Sequence, residues 1–86
     1  MNWNLSIADP AQKELKRLPA SDRARITDAL QQMQRDPFTG DITRLTNLRF
    51  GWRRRVGNYR ILYDLNPTAR TIRVHHILRR TSTTYR

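Results

Sequence analysis

The chain contains no cysteine. That excludes a disulfide framework, a thiolate nucleophile and any cysteine-based zinc site, and it suits a reducing compartment. Long apolar runs are missing too. No stretch approaches the roughly 18 residues of a membrane span, and residues 1–10 lack the basic and apolar blocks of a secretory signal. A cytoplasmic protein is the expectation. The three glycines, Gly40, Gly51 and Gly57, are isolated, so no glycine-rich phosphate loop exists. Acidic residues are scarce in one half only. Residues 44–86 hold eleven arginines and a single acid, Asp64, whereas residues 1–43 balance six basic against six acidic groups. The net charge of +10 therefore sits wholly in the second half. With one carboxylate there, a two-metal nuclease site lacks its ligands, and no Ser-His-Asp arrangement can be built.

What remains is an 86-residue chain of globular composition, 37% hydrophobic, short enough for one domain over residues 1–86. Fifteen of the 17 basic residues are arginine, whose planar fork matches phosphate bidentately. A polyanion is the natural partner. Nucleic acid ranks ahead of a membrane surface because the basic half carries no amphipathic helix.

Periodicity divides the chain. Residues 2–7 alternate, with Trp3, Leu5 and Ile7 on one side, as in a half-buried strand. Asp9-Pro10 predicts a helix cap followed by proline at the first helical position, and Ala11, Leu15 and Leu18 form an apolar stripe that Pro19 ends. Ser21 is a candidate second cap before the stripe Ile26, Ala29, Leu30 and Met33, which stops near Arg35 because Asp36 precedes a proline. Residues 37–43 read as a loop by composition. Arg44 to Leu48 is open between a short strand and an irregular lead-in. Beyond it the period becomes 2: strands are expected over Trp52–Val56, Tyr59–Leu65 and Thr71–Leu78, the first two joined by the hairpin turn Gly57-Asn58. The expected fold is α+β, β-α-α-β-β-β, with two N-terminal helices on one face of a small, mostly antiparallel four-stranded sheet.

A two-residue hairpin loop fixes register. Val56 faces Tyr59, Arg55 faces Arg60, Arg54 faces Ile61, Arg53 faces Leu62 and Trp52 faces Tyr63. Trp52, Val56, Tyr59, Ile61 and Tyr63 then share the core face. Arg53, Arg55 and Arg60 gather on the other. Like charges directly opposite are destabilising, so Arg55 against Arg60 calls for an anion or another compensation. Arg54 points coreward by the same alternation and is expected to snorkel to an edge. On the last strand, strict alternation puts Arg73, His75, Ile77 and Arg79 on one side and Ile72, Val74, His76 and Leu78 on the other. His75 and His76 thereby face opposite ways, which argues against a shared metal. His76 is expected in the core and His75 on the exposed side. If Arg79 joins the open face, four guanidinium groups converge, and Tyr85 beside them could stack on a base.

The run Trp52-Arg-Arg-Arg-Val-Gly-Asn-Tyr-Arg-Ile-Leu-Tyr63 resembles the core motif of the RelE/ParE superfamily of bacterial toxins. Lys13-Glu-Leu-Lys-Arg-Leu-Pro19, Asp36-Pro37 and the strand ending in Arg79-Arg80 before Tyr85 extend the likeness over nearly the whole chain. The resemblance implies the toxin of a type II toxin–antitoxin system, masked by a cognate protein antitoxin that is acidic and partly disordered. In the RelE branch it implies a ribosome-dependent, metal-independent endoribonuclease that needs no cofactor. Such a toxin cleaves mRNA in the A site by attack of the ribose 2′-hydroxyl on the adjacent phosphorus. Arg55, Arg60, Arg79 and Tyr85 are the implied catalytic residues, and Arg53, Arg54, Arg80 and His75 the implied RNA contacts. RelE proteins commonly carry lysines at the positions of Arg53 and Arg55, and arginine cannot act as a base. Three alternatives are therefore open: a mechanism of electrostatics and alignment, His75 as the base, or weak catalysis. ParE-like members share the fold but poison DNA gyrase without nuclease activity; an inert RNA-binding or antitoxin-titrating relative is a third reading.

Overall fold

A computed structural model describes residues 2–45 and 51–79. The element order is β1 (Asn4–Ile7), α1 (Asp9–Lys16), α2 (Ala20–Arg35), β2 (Asp41–Arg44), β3 (Trp52–Val56), β4 (Tyr59–Asn66) and β5 (Thr71–Arg79). The strands form one sheet in the order β1-β5-β4-β3-β2. β1 runs parallel to β5, and every other pair is antiparallel.

Both helices start earlier than the expected caps, α1 by one residue and α2 by two. Ala8 and Pro19 occupy the N-cap positions with extended ψ of 155° and 152°, and neither supplies a capping side chain. Asp9 and Asp22 instead lie in the first turns, where a carboxylate complements the helix dipole. The expected end of α2 holds: Asp36 is extended (φ −157°, ψ 102°) before Pro37. Its carboxylate then accepts the Phe38 N–H at 2.9 Å, which turns the chain toward β2.

The sheet has five strands where four were expected, because residues 41–43 of Asp41–Arg44 lie in the segment read as a loop, while Arg44 begins the stretch open between a strand and a lead-in, whose residues 46–48 lie outside the described residues. Local composition explains the miss, since Gly40 and Asp41 are poor strand formers and only Ile42 and Thr43 favour a strand. Pairing supplies what propensity does not. Asp41 falls opposite Arg55 and Thr43 opposite Arg53, so the short edge strand sets one acid and one hydroxyl beside two arginines.

Ile26, Ala29, Leu30 and Met33 of α2 and Ala11 of α1 pack on Tyr59, Ile61, Tyr63, Ile72, Val74 and Ile77 of the sheet, with Trp3 closing the end of the core. Tyr63, Ile61, Ile72 and Val74 are fully buried. The hydroxyls of the two core tyrosines are both satisfied: Tyr63 donates to the Pro37 carbonyl at 3.3 Å and Tyr59 to Asp22 Oδ2 at 2.8 Å. Burial pushes the Tyr63 phenol up to about 12, against a smaller opposing pull from Arg54. The Tyr59 phenol is also raised, chiefly by its hydrogen bond to Asp22.

The β3–β4 register is the one the hairpin predicts, pair for pair from Val56↔Tyr59 to Trp52↔Tyr63. Gly57 makes the turn with φ +57°. The β4–β5 register is not a simple alternation. Leu62 pairs with His76 and Tyr63 with Val74, so His75 is an extra residue in β5, a β-bulge. Val74 and Ile77 on either side of the two histidines are both buried in the core (0% and 2% exposed).

Candidate nucleic-acid interface

The face of the sheet away from the helices is where the arginines of β3 and β4 meet. Arg55 and Arg60 are direct cross-strand partners, and Arg53 lies two residues along β3 on the same side. All three are half-buried. Arg53 Nη2 donates to Thr43 Oγ1 at 3.0 Å, which steadies one guanidinium against the edge strand. The Nε atoms of Arg53 and Arg55 are buried without a hydrogen-bond partner. An unsatisfied buried donor costs about 1–3 kcal/mol, so an acceptor brought by a ligand would be favoured there. Register also sets Asp41 opposite Arg55 on its other flank, a partial compensation for the Arg55–Arg60 juxtaposition. A patch of this kind can hold a phosphodiester and stabilise charge that grows on phosphorus.

Arg54 is not part of this face, and the expectation that it contacts RNA is corrected. It is only 6% exposed, on the helix side of the sheet. Its guanidinium donates to Gln32 Oε1 at 2.7 Å and to the Thr39 carbonyl at 3.2 Å. It does not snorkel to an edge, because the α2–β2 connection supplies acceptors overhead. Gly40 leaves the room it needs: a Cβ there would lie 2.8 Å from the Arg54 guanidinium carbon. Arg54 is a clasp holding that connection to the sheet.

Arg79 is corrected as well. The bulge shifts the last part of β5 by one residue, so Arg79 pairs with Tyr59 and belongs to the core-face row, exposed at its end. Its charge reaches the Tyr59 phenol, which it acts to lower. Among the described residues the open face therefore carries Arg53, Arg55 and Arg60 from β3 and β4 and, from β5, Arg73 and not Arg79. Arg80 and Tyr85, the remaining residues singled out from the sequence, lie outside the described residues.

The same bulge brings both histidines to the non-core side. His75 Nε2 is 2.8 Å from Asp64 Oδ2, and Asp64 Oδ1 accepts the Gly51 N–H at 2.7 Å. His76 is half-buried and not in the core: its Nδ1 sits 3.2 Å from Glu14 Oε2. Glu14 Oε1 also accepts the Ile77 N–H at 2.8 Å, so α1 covers the β5 edge that short β1 leaves open. Among the described residues no group of three or more His, Cys, Asp or Glu side chains could hold a metal. Sequence reading passed over Asp64 as a partner. Its one signal is its place as the lone acid of the basic half, at a polar position in β4.

A second surface lies near the end of the core. Phe38 is 51% exposed and makes edge contacts with Trp3 (6.2 Å) and Trp52 (5.8 Å). Arg70 lies over Trp3 and Arg44 over Trp52, at 5.4 and 5.7 Å.

Comparison with known proteins places this architecture. The family model described as the ParE toxin of the type II toxin–antitoxin system, parDE, matches residues 5–83. Solved structures share the fold. The archaeal RelE–RelB complex from Pyrococcus horikoshii aligns with a TM-score of 0.82 at 22% identity, over 96% of this chain and 100% of that one. The RelBE2 toxin–antitoxin complex from Mycobacterium tuberculosis gives 0.81 at 22%, over 93% and 100%. The RelB–RelE complex from Methanococcus jannaschii gives 0.69 at 29%, over 85% and 87%. No curated protein matches the chain.

Proposed function

The chain belongs to the ParE toxin family of type II toxin–antitoxin systems, and from that premise we propose that it is a metal-independent endoribonuclease acting on mRNA in the ribosomal A site. The observation that carries the reading is the direct opposition of Arg55 and Arg60, with Arg53 two residues away on the same open face. A sheet does not hold like charges opposite one another without cost, and a phosphodiester would turn that cost into binding.

The reaction needs little else from the protein. The ribose 2′-oxygen forms a bond to the adjacent phosphorus as the bond to the 5′-oxygen breaks, leaving a 2′,3′-cyclic phosphate and a 5′-hydroxyl. Arg55 and Arg60 stabilise the negative charge on the pentacoordinate phosphorus, and Arg53 holds the phosphate in place. The ribosome, by gripping the codon, aligns the 2′-oxygen in line. In this reading Arg80 adds a further cation and Tyr85 a stacking surface for a base, while Arg79, on the core-face row, has no part in the phosphate site. The toxin acts in the cytoplasm. Its neighbours in Pyrococcus and Mycobacterium were solved with antitoxins, and an acidic, partly disordered antitoxin would suit a net charge of +10.

A second reading has its own support. The matching family model is ParE, and Arg79 stands apart from the open-face arginines. A gyrase poison would need neither cleavage chemistry nor a convergent phosphate site. One experiment separates the two. Purified toxin is added to ribosomes stalled on a defined mRNA, with EDTA-treated free mRNA alongside and 5′ ends mapped by primer extension, beside a gyrase supercoiling assay. Cuts confined to the A-site codon with cyclic phosphate ends are expected, and Arg60→Ala should abolish them. Intact mRNA together with inhibited supercoiling would overturn the nuclease reading.

A further inference from the structure

The nuclease reading leaves one step without a residue: removal of the 2′-hydroxyl proton. Arginine cannot accept it. Among the described residues, one imidazole on the open face is held by a carboxylate of that same face, and the fold departs from regular pairing to put it there.

That group is His75. In an unbulged β5 it would share a side with Ile77, which is buried at 2% exposure. The bulge makes His75 the extra residue of β5 and turns it outward, to Asp64 on the side that carries Arg53 and Arg60. Asp64 completes the arrangement. Its Oδ2 lies 2.8 Å from His75 Nε2 and its Oδ1 is anchored by the Gly51 N–H at 2.7 Å, so the carboxylate is held at both ends. An imidazole that donates Nε2–H to a fixed carboxylate carries its lone pair on Nδ1. His75 adjoins His76, which shares the pairing row of Leu62 and Arg53. Two strand spacings, about 10 Å, separate β3 from β5 along that row. A nucleotide held through its phosphate by Arg53 and Arg60 would reach His75 only with its ribose extended across that spacing toward β5.

We propose, resting on the nuclease reading, that His75 is the general base for 2′-hydroxyl attack and Asp64 its positioning residue. In the step, His75 Nδ1 takes the 2′-proton as the 2′-oxygen bonds to phosphorus. The 5′-oxygen leaves with the electron pair of the broken bond and takes a proton from solvent water; His75 then returns its proton to solvent. Asp64 holds the neutral tautomer before attack and faces the imidazolium afterwards. The charged and titratable groups around His75 are Asp64 on β4, Arg73 and His76 on β5, Arg53 on β3 and, through His76, Glu14 on α1.

The test is single-turnover cleavage on stalled ribosomes across pH 5–9, for wild type, His75→Gln, Asp64→Asn and Arg60→Ala. Toxin–ribosome binding and a thermal melt are measured on each. The wild-type rate should fall toward acid, as a step that needs an unprotonated base requires. His75→Gln should lose at least about a hundredfold at pH 7.5 and lose the acid limb with it, while binding ribosomes as wild type does. Asp64→Asn should lose about tenfold or more at unchanged binding, because an amide no longer fixes the tautomer. Cleavage by folded His75→Gln at the wild-type rate, with the acid limb intact, would overturn the inference and leave the nuclease reading standing provided Arg60→Ala is inactive. If His75→Gln melts below the assay temperature, Asp64→Asn and the wild-type profile decide: a flat profile overturns the inference. Absence of cleavage by folded wild type would overturn the nuclease reading, and the inference with it.

Discussion

Replacing Arg54 by alanine should unfold the protein far more readily while leaving the open face chemically intact. Arg54 is 6% exposed and donates to Gln32 Oε1 and to the Thr39 carbonyl at 2.7 and 3.2 Å. Hydrogen bonds from a charged donor contribute about 1.5–3 kcal/mol each, and truncation leaves both acceptors without this donor beside a void. Burying the guanidinium has its own desolvation cost, which truncation relieves. The balance is a loss of about 3 kcal/mol, which for a domain of this size lowers Tm by roughly 12–24 °C. Urea unfolding followed by tryptophan fluorescence, with Tm from calorimetry, would measure it. Arg54→Met, similar in length and apolar, should recover much of the loss, since replacing a buried ion by a packed apolar chain is often nearly neutral. RNA affinity of the folded fraction should stay at the wild-type value in both variants. An Arg54→Ala protein with unchanged Cm and weakened RNA binding would refute the argument and return Arg54 to the ligand.

Three further outcomes follow from separate parts of the molecule. If Arg53, Arg55 and Arg60 each neutralise one phosphate, the plot of log K against log salt for single-stranded RNA should have a slope of about −2, and each alanine substitution should reduce it by about 0.7; an unchanged slope in all three would exclude the face as the binding site. The Tyr63 phenol is held up at about 12 by burial, so the folded state keeps the proton more tightly than the unfolded chain does. Its contribution is fully present below pH 10 and lost between pH 10 and 12, about 2–3 kcal/mol in urea titrations, and Tyr63→Phe should lack that part of the alkaline loss. Glu14→Ala removes the acceptor from the Ile77 N–H and the carboxylate beside His76, and should cost about 1–3 kcal/mol with faster amide exchange at Ile77.

Most of the hairpin was legible because two residues, Gly57 and Asn58, determine the register of everything on either side. The grouping of Arg53, Arg55 and Arg60 follows from that turn and the period of two alone. The coreward direction of Arg54 was legible by the same rule. Its destination was not, since the acceptors that let it stay buried belong to Gln32 and Thr39, on an element the hairpin says nothing about. β2 failed for a related reason: only Ile42 and Thr43 of its four residues favour a strand, too short a run to stand out beside Gly40 and Asp41, and its pairing sets Thr43 and Asp41 opposite Arg53 and Arg55 of β3.

The larger error has a single cause. β5 has good strand composition throughout, so strict alternation was the natural reading, and one inserted residue reverses it beyond Val74. Ile77 turns inward, Arg79 leaves the open face, and the two histidines no longer face opposite ways. Burial could have exposed the conflict, because strict alternation puts Ile77 with Arg73, His75 and Arg79 while the core needs it beside Ile61. A strand that must bury Ile72, Val74 and Ile77 cannot do so with a period of two, and the spare residue has to fall between Val74 and Ile77. The place where the apolar pattern breaks step is therefore the place where His75 meets Asp64. The local departure that defeats simple pattern reading is the same feature that puts a proton acceptor on a face otherwise dominated by arginine.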